Sequence, residues 1–165
     1  MVTKPDQAIE KIWALLEDIP DPEVPVISIV DLGIVRDVQL SDLEVSIIIT
    51  PTYSGCPAMD FIERDIRQKI AESPYTLGEI KTVLSPAWTT DWLSEQGRNK
   101  LEAYGIAPPQ RSKDKNSLFL DAKTIPCPHC KSTDTQLVSQ FGSTACKALY
   151  TCKTCLEPFD YFKCL

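Results

Sequence analysis

Residues 126–165 read PCPHCKSTDTQLVSQFGSTACKALYTCKTCLEPFDYFKCL and contain six of the chain's seven cysteines. Cys127 and Cys130 form one Cys-x-x-Cys pair, Cys152 and Cys155 form a second, and 21 residues separate the pairs. Two residues between cysteines let both sulfurs of a tight turn face one ion, and two such turns complete a tetrahedron of thiolates. The spacing therefore predicts a four-cysteine metal site in a small domain over residues 125–165.

The small size of this segment supports the same interpretation. About 40 residues bury too little apolar surface for a stable core, so a domain of that size usually depends on a metal or on disulfides. Zinc bound by four thiolates contributes on the order of 10 kcal/mol to the folding of such domains. Zinc is the favoured ion, while a single iron ion or an iron–sulfur cluster also suits two Cys-x-x-Cys pairs. Metal-free redox dithiols or disulfides are less favoured, because structural disulfides are rare in a reducing cytosol.

Three further residues of the tail could bear on the metal site. Cys146 and Cys164 lie outside the two pairs, where they could be small buried hydrophobes or alternative ligands, and the first interpretation is favoured. His129 is the chain's one histidine and lies inside the first pair. We expect it to be exposed or to donate to the metal-bound sulfurs rather than to replace a thiolate.

The residues before the tail alternate helical and strand patterns. Apolar side chains recur at helical spacing from Pro5 to about Asp18, and two runs with β-branched alternation are joined by a turn at Ser41-Asp42. The predicted elements are a helix over 5–18, strands over 34–40 and 44–50, a helix over 57–71 with Phe61 on its inner side, a strand over 78–84 and a helix over 90–104. The order α-β-β-α-β-α predicts an α+β fold, in which helices cover a small mixed sheet in a two-layer α/β domain over residues 1–107. The small cysteine-rich domain follows it.

Residues 108–124 are predicted to link the two domains. Their first part, PPQRSKDKNS, is polar, charged and led by proline, which is typical of an exposed connection. Residues 1–107 hold 18 Asp or Glu against 9 Lys or Arg, whereas residues 108–165 hold 5 against 8. The net charge of −6 and the pI near 4.8 disfavour nucleic-acid binding, because the positive excess of the tail includes no dense arginine cluster.

The sequence predicts a cytoplasmic protein without catalytic activity of its own. The first 24 residues carry acids throughout and lack the apolar run of a signal peptide, and no segment approaches the roughly 20 apolar residues of a membrane span. No nucleotide-binding loop, catalytic triad or di-iron Glu-x-x-His helix stands out.

The seventh cysteine, Cys56, stands apart in TPTYSGCP, between a predicted strand and a predicted helix. Pro57 suits the first helical position, which would place Cys56 at the N-cap. The helix dipole would then stabilise a thiolate and lower its pKa, making the sulfur reactive or metal-seeking. The alternative is a small residue that only ends a strand. The acids of Asp21-Pro22-Glu23 and Asp31-Leu32-Gly33, together with Trp88 and Trp92, are expected near the same edge.

These segments together resemble known families. The loops DPEVPVISIVDLGIV (21–35), TPTYSGCP (50–57) and SPAWTTDWLS (85–94) resemble the SufT-like domain family linked to iron–sulfur cluster assembly, over most of residues 6–105. The tail, with CPHC, FGSTACKALYTCKTC and PFDYFK, resembles the zinc-ribbon end of the PaaD family of phenylacetate-degradation proteins.

The resemblance implies an accessory protein of the phenylacetyl-CoA 1,2-epoxidase, a multicomponent monooxygenase of phenylacetate catabolism, that matures or maintains an iron–sulfur or iron centre. It implies that Cys56 is the functional thiol, that Cys127, Cys130, Cys152 and Cys155 hold structural zinc, and that iron or an iron–sulfur cluster is bound transiently. The implied partners are the reductase and oxygenase components and the iron–sulfur assembly machinery, with homo-oligomerisation left open. The alternative is a structural or interaction subunit without metal-transfer activity.

Overall fold

A computed structural model describes the backbone of residues 5–110 and 124–163, with side chains from residue 7 onward. The chain forms two compact units that divide between Trp88 and Thr89. Among the described residues, no helix is long and apolar enough to cross a membrane.

The first unit is a three-stranded sheet with two helices. Its elements are α1 (Pro5–Glu17), β1 (Val35–Ser41), β2 (Glu44–Ile49), α2 (Ala58–Ala71) and β3 (Thr76–Thr82). The strand order is β1-β2-β3, with β1 antiparallel to β2 and β2 parallel to β3. Asp42 closes the hairpin with a φ of 56°. Because α1 contacts β1 and α2, and α2 contacts β3, the helices form one layer on the sheet, as predicted.

The apolar pattern explains how α2 lies on this sheet. Ala58, Ile62, Ile66 and Ile70 repeat every four residues and are all buried, so they form one stripe against the strands. The prediction that Phe61 lies on the inner side is wrong, because 51% of its surface is exposed. Each residue advances about 100° around a helix, which turns Phe61 away from a stripe that passes through Ile62.

The second unit contains the cysteine-rich tail and the segment that precedes it. Its elements are a 3₁₀ turn (Thr90–Trp92), α3 (Glu95–Ala103), β4 (Ile106–Ala107), β5 (Thr135–Ser139), β6 (Lys147–Cys152) and β7 (Pro158–Phe162). The strand order is β4-β7-β6-β5. The pairs β5–β6 and β6–β7 are antiparallel, while β4 runs parallel to β7.

The division into units differs from the predicted end of the first domain at residue 107. Residues 89–107 lie in the second unit, because Ile106 pairs with Asp160 and Ala107 pairs with Tyr161 on β7. The last predicted helix therefore belongs with the ribbon rather than with the first sheet. Most of the predicted linker, residues 111–123, lies outside the described residues.

Candidate functional site

The four paired cysteines of the tail converge in the second unit, in what we call the ribbon cluster. Their four sulfurs all lie within 4.8 Å of one another and belong to Cys127, Cys130, Cys152 and Cys155. The Sγ–Sγ distances across the two pairs are 3.8 Å for Cys127 and Cys155 and 3.5 Å for Cys130 and Cys152. A tetrahedron with zinc–sulfur bonds of about 2.3 Å has sulfurs about 3.8 Å apart. The donor set therefore fits a zinc ion.

Two turns of the same shape bring these sulfurs together. The N–H of Cys127 donates to the carbonyl of Ser132 (2.9 Å), and the N–H of Cys152 donates to the carbonyl five residues later (3.0 Å). The residue after each pair, Lys131 or Leu156, has a left-handed φ of 64° or 65°. Non-glycine residues adopt this conformation at a cost of roughly 1–2 kcal/mol each. The two turns that bring the sulfurs together are therefore strained locally.

The core around the ribbon cluster is small. It consists of five buried side chains: Ala107, Ile125, Cys127, Cys152 and Phe159. Two of the five are cysteines that a metal would hold. A cluster of this size supplies little stability on its own, so a bound ion would add substantially to the stability of the fold around it.

The electrostatics of the thiols favour the same conclusion. The backbone N–H of Cys155, assisted by Thr154 and by neighbouring thiols, lowers the pKa of Cys152 to about 6. The pKa of Cys155 rises to about 12. The backbone N–H of Glu157 favours a thiolate at Cys155, but burial and the adjacent sulfurs outweigh it. Without an ion Cys155 therefore keeps its proton, and all four sulfurs can be thiolates together only when a cation balances their charge.

The other tail residues stand outside the ribbon cluster. Cys146 is buried, and its sulfur lies 3.1 Å from the Thr144 hydroxyl, in accordance with a small core residue. His129 is exposed, as predicted, and its ring lies against Gly105, where an added Cβ would come within 3.2 Å of Cε1. Cys164 lies outside the described residues.

Three loops of the first unit meet at one end of its sheet, which we call the Cys56 edge: residues 31–34, 50–57 and 83–88. The N–H of Thr50, just after β2, donates to the carbonyl of Ile34, just before β1 (2.8 Å). The N–H of Val83, just after β3, donates to the carbonyl of Ile49 (2.9 Å). The strand directions therefore place the loop that carries Cys56 between the other two.

The local geometry of Cys56 corrects the predicted helix start. The N-cap is Pro57 and α2 begins at Ala58, so Cys56 lies one residue before the cap. Its N–H donates to the carbonyl of Tyr53 (3.3 Å), in a turn where Gly55 has a φ of 80°. Glycine adopts that conformation without the steric penalty of a side chain. The turn leaves Cys56 half-buried.

The expectation of a lowered pKa for Cys56 is also wrong. Burial is the largest influence and raises the pKa of the thiol. The N–H of Ala58 and the side chains of Tyr53 and Thr52 favour the thiolate, but the carboxylate of Glu23 opposes it. The thiol of Cys56 therefore keeps its proton near neutral pH.

The acidic loops 21–23 and 31–33, which were expected near Cys56, differ in what their side chains do. Asp21 is buried, and its Oδ1 accepts hydrogen bonds from the N–H groups of Glu23 (2.9 Å) and Val24 (2.8 Å). Asp21 therefore shapes the turn, while the charge of Glu23 acts on Cys56. Asp31 is 2% exposed, and its N–H donates to the hydroxyl of Ser28 (2.9 Å).

Trp88 lies at the Cys56 edge, where it was expected. Two further features of this edge were not predicted. The first is a hydrogen bond from the indole N–H of the buried Trp88 to the carbonyl of Leu32 (2.8 Å), which joins two of the three loops. The hydroxyl of Thr50 is buried without a hydrogen-bond partner among the described residues. A threonine at the end of an apolar strand gives no sequence signal of this kind. Trp92 lies in the second unit, so its predicted place beside Cys56 remains a prediction.

Comparisons with known proteins match both parts of the chain. Residues 9–81 match the iron–sulfur cluster assembly protein family, and residues 111–163 match the PaaD zinc beta ribbon domain. The chain is 35% identical to an "Fe-S protein maturation auxiliary factor" of Porphyromonas gingivalis, over 58% of this chain and 91% of that protein. A crystal structure of a domain of unknown function, DUF59, from Bacillus anthracis is 26% identical and covers 59% of this chain and 93% of its own, with a TM-score of 0.49.

A relative from Escherichia coli (strain K12) matches nearly the whole chain. It is named as a component of a "Putative 1,2-phenylacetyl-CoA epoxidase", and it is 48% identical over 95% of this chain and 93% of its own length. The two domain matches occur in this chain in the order in which they were predicted from the sequence. The chain therefore belongs to the PaaD family of phenylacetyl-CoA epoxidase components.

Proposed function

We propose that this chain is a non-catalytic accessory protein of the phenylacetyl-CoA 1,2-epoxidase, acting in the cytoplasm to mature or maintain an iron or iron–sulfur centre. In this proposal Cys56 binds iron or a cluster fragment transiently as cargo. The observation that carries it is the position of Cys56 in the domain that matches iron–sulfur assembly proteins, at the meeting point of three loops. The relative's name supports the epoxidase as the client system.

The raised pKa of Cys56 suits transient binding. A protonated thiol is a poor ligand, so it binds metal only when an arriving ion displaces the proton. Cys56 also belongs to no group of three or more Cys, His, Asp or Glu ligands among the residues that the structure describes. One thiolate does not enclose an iron ion, so the cargo keeps ligands from its donor or its client and is readily released.

The ribbon cluster has a different place in the proposal. Its four cysteines would hold zinc, which would supply folding free energy to the second unit rather than chemistry. The reductase and oxygenase components of the epoxidase are the proposed clients. Analysis of zinc, iron and acid-labile sulfide per chain, after anaerobic purification of the wild type and Cys56→Ala, separates the two metal sites. We expect one zinc per chain in both, with any iron only in the wild type.

The decisive experiment measures the client rather than the chain itself. In a Cys56→Ala strain grown where iron–sulfur clusters are scarce, we expect less iron or labile sulfide in the purified client component and slower growth on phenylacetate. Cys146→Ser is the matched control, because it changes a cysteine outside both sites. Normal client metal content in the Cys56→Ala strain would reject the metal-handling role.

The alternative is a structural subunit that only binds the other epoxidase components. It accommodates the same observations, because a thiol without a metal role also keeps its proton and also lacks neighbouring ligands among the described residues. Under this alternative, Cys56→Ala leaves client metal unchanged while deletion of the chain weakens the association of the other components. Size-exclusion chromatography of the epoxidase from both strains distinguishes the two cases.

A further inference from the structure

Two large apolar side chains stand exposed at the Cys56 edge. Phe61 lies in the first turn of α2 with 51% of its surface exposed, and Leu84 follows β3 by two residues with 61% exposed. The hydroxyl of Thr82 donates to Glu63 (3.2 Å), which holds the start of α2 beside the end of β3. Both exposed side chains therefore lie at the end of the unit that carries Cys56.

The same unit offers a built-in comparison at its other end. Leu43 is 59% exposed in the turn between β1 and β2, opposite to the Cys56 edge. A single exposed leucine in a turn is ordinary on a protein surface. Two large exposed apolar side chains at the end of the unit that carries Cys56 are less ordinary and suggest a contact surface.

The side chain of Phe61 faces solvent and does not belong to the buried core. The buried stripe of α2 passes through its neighbour Ile62, so the ring faces outward. The guanidinium of Arg64 lies 5.1 Å from the ring centroid, a cation–π contact that restricts the ring's position. An aromatic side chain fixed in an exposed position loses little conformational entropy when a partner covers it.

The charges around these side chains indicate the chemistry of the partner. Asp60 is exposed and Glu63 partly exposed beside Phe61, and Glu23 acts on Cys56. Arg64 is engaged with the ring and with Asp65, and Arg67 pairs with Glu63 (N–O distance 3.7 Å). Residues 1–88 hold 15 Asp or Glu against 7 Lys or Arg, so the whole unit repels acidic surfaces. The complementary surface is apolar at its centre and cationic at its rim.

We infer that Phe61 and Leu84 anchor a client protein whose docking face is an apolar pocket rimmed by Lys or Arg. The inference rests on the proposed function, since docking there brings the client's own metal ligands to Cys56. This would complete the coordination that one thiol cannot provide. A phosphate or nucleic-acid partner does not suit the acidic surroundings.

The test uses the full chain and the separately purified reductase and oxygenase components of the epoxidase. The probe is the affinity of each component for the wild type and for Phe61→Ala, Leu84→Ala and Leu43→Ala. We expect at least one component to bind the wild type, about tenfold weaker binding for each of the first two variants, and unchanged binding for Leu43→Ala. Equal melting temperatures show that the variants are folded, as expected for exposed positions.

Charge changes test the rim separately. Asp60→Lys should slow association, and added salt should weaken wild-type binding more than it weakens Asp60→Lys binding. Asp42→Lys, in the hairpin turn beside Leu43, is the matched control and should bind as the wild type does. Equal salt dependence in all three proteins would overturn the cationic rim.

Three further results would overturn the inference. They are no binding of the wild type to any component, equal losses for Leu43→Ala and Phe61→Ala, and self-association through Phe61, which would make the occupant a second copy. Failure of the proposed function has a different signature. If Cys56→Ala leaves client metal normal while Phe61→Ala still weakens binding, the docking surface stands and the metal-handling role falls.

Discussion

The ribbon cluster and Cys56 place thiols in opposite surroundings. In the second unit, four sulfurs delivered by two similar turns lie within 4.8 Å of one another, and two of the four side chains are fully buried. In the first unit, Cys56 is half-buried in a loop beside Glu23, outside any group of three ligands among the described residues. The first arrangement suits a permanent ion, and the second suits a passing one.

The difference shows that cysteine spacing determines a metal-ligand set, whereas the surroundings of a thiol in the folded chain determine its pKa. Cys-x-x-Cys spacing fixes the distance between two sulfurs locally, so the ligand set follows from the sequence. The pKa of an isolated thiol depends on burial and on groups distant in sequence, such as Glu23, 33 residues before Cys56. The first property is local and the second arises only from the fold.

The largest expected effect comes from breaking the ribbon cluster. Cys152→Ser removes a fully buried ligand. We expect the variant to lose its stoichiometric metal, and the second unit to lose on the order of 10 kcal/mol of folding free energy. NMR amide dispersion should vanish for β5, β6 and β7. It should also vanish for Ile106 and Ala107, because β4 pairs with β7. The first unit should keep its dispersion.

Cys146→Ser is the control for this variant, since it is buried in the same unit but lies outside the ribbon cluster. It should keep its metal and its NMR spectrum. A ribbon that retained its dispersion after complete chelation would contradict the dependence of this unit on a metal.

The elements of the first unit were predicted to within about two residues, because their apolar periodicity is strong. Two outcomes escaped prediction for a physical reason. Ile106 and Ala107 follow the last predicted helix and fall within the predicted first domain, and only their pairing with β7 assigns them to the second unit. Phe61 was placed inside because it is apolar, although the stripe of α2 is filled without it.

The candidate sites were predictable to different degrees. The four ribbon cysteines could be named from their spacing, and the structure brings them together. The position of Cys56 in a loop at a strand–helix junction was also predictable, but its pKa was not. Burial, together with the carboxylate of Glu23, reverses the expected direction of the pKa shift, although the N–H of Ala58 at the helix start still favours the thiolate.

A smaller effect is expected at the hydrogen bond that joins two loops of the Cys56 edge. Trp88→Phe removes the indole donor and leaves the carbonyl of Leu32 buried without it, which should lower the free energy of unfolding by about 1–3 kcal/mol. Urea titration followed by circular dichroism measures this change. Trp13→Phe, at a half-buried position on α1, is the control and should cost less. Equal losses in the two variants would mean that the hydrogen bond is not what stabilises this edge.

The next effect has the opposite sign. Thr50→Val replaces a buried hydroxyl that has no partner among the described residues with a methyl group of similar shape. Removing an unsatisfied polar group should raise the free energy of unfolding by about 1 kcal/mol. If the variant is more stable but its client receives less metal, then the hydroxyl serves the Cys56 edge rather than the fold. A loss of stability would show that the hydroxyl has a partner such as water.

The smallest energetic effect, and the sharpest comparison of the two sites, is the reactivity of their thiols. With metal bound, the ribbon sulfurs should resist iodoacetamide, and after chelation they should react at the rate of ordinary unfolded cysteines. Cys56 should react more slowly than a free cysteine of pKa about 8.5 at pH 7 to 8, with or without metal, because burial and Glu23 raise its pKa. The alkylation rate of Cys56 should climb as the pH rises beyond 9.

The raised pKa of Cys56 also makes the stability of the fold depend on pH. The unfolded chain releases the thiol proton more readily than the folded one does. The stability that the neutral thiol contributes is therefore complete below the unfolded pKa and is lost as the pH rises through the folded pKa. Cys56→Ala should remove that alkaline loss, and Glu23→Gln should speed alkylation. Mass spectrometry of labelled peptides measures both sites in one sample, and fast labelling of Cys56 at neutral pH would show that its thiolate is stabilised after all.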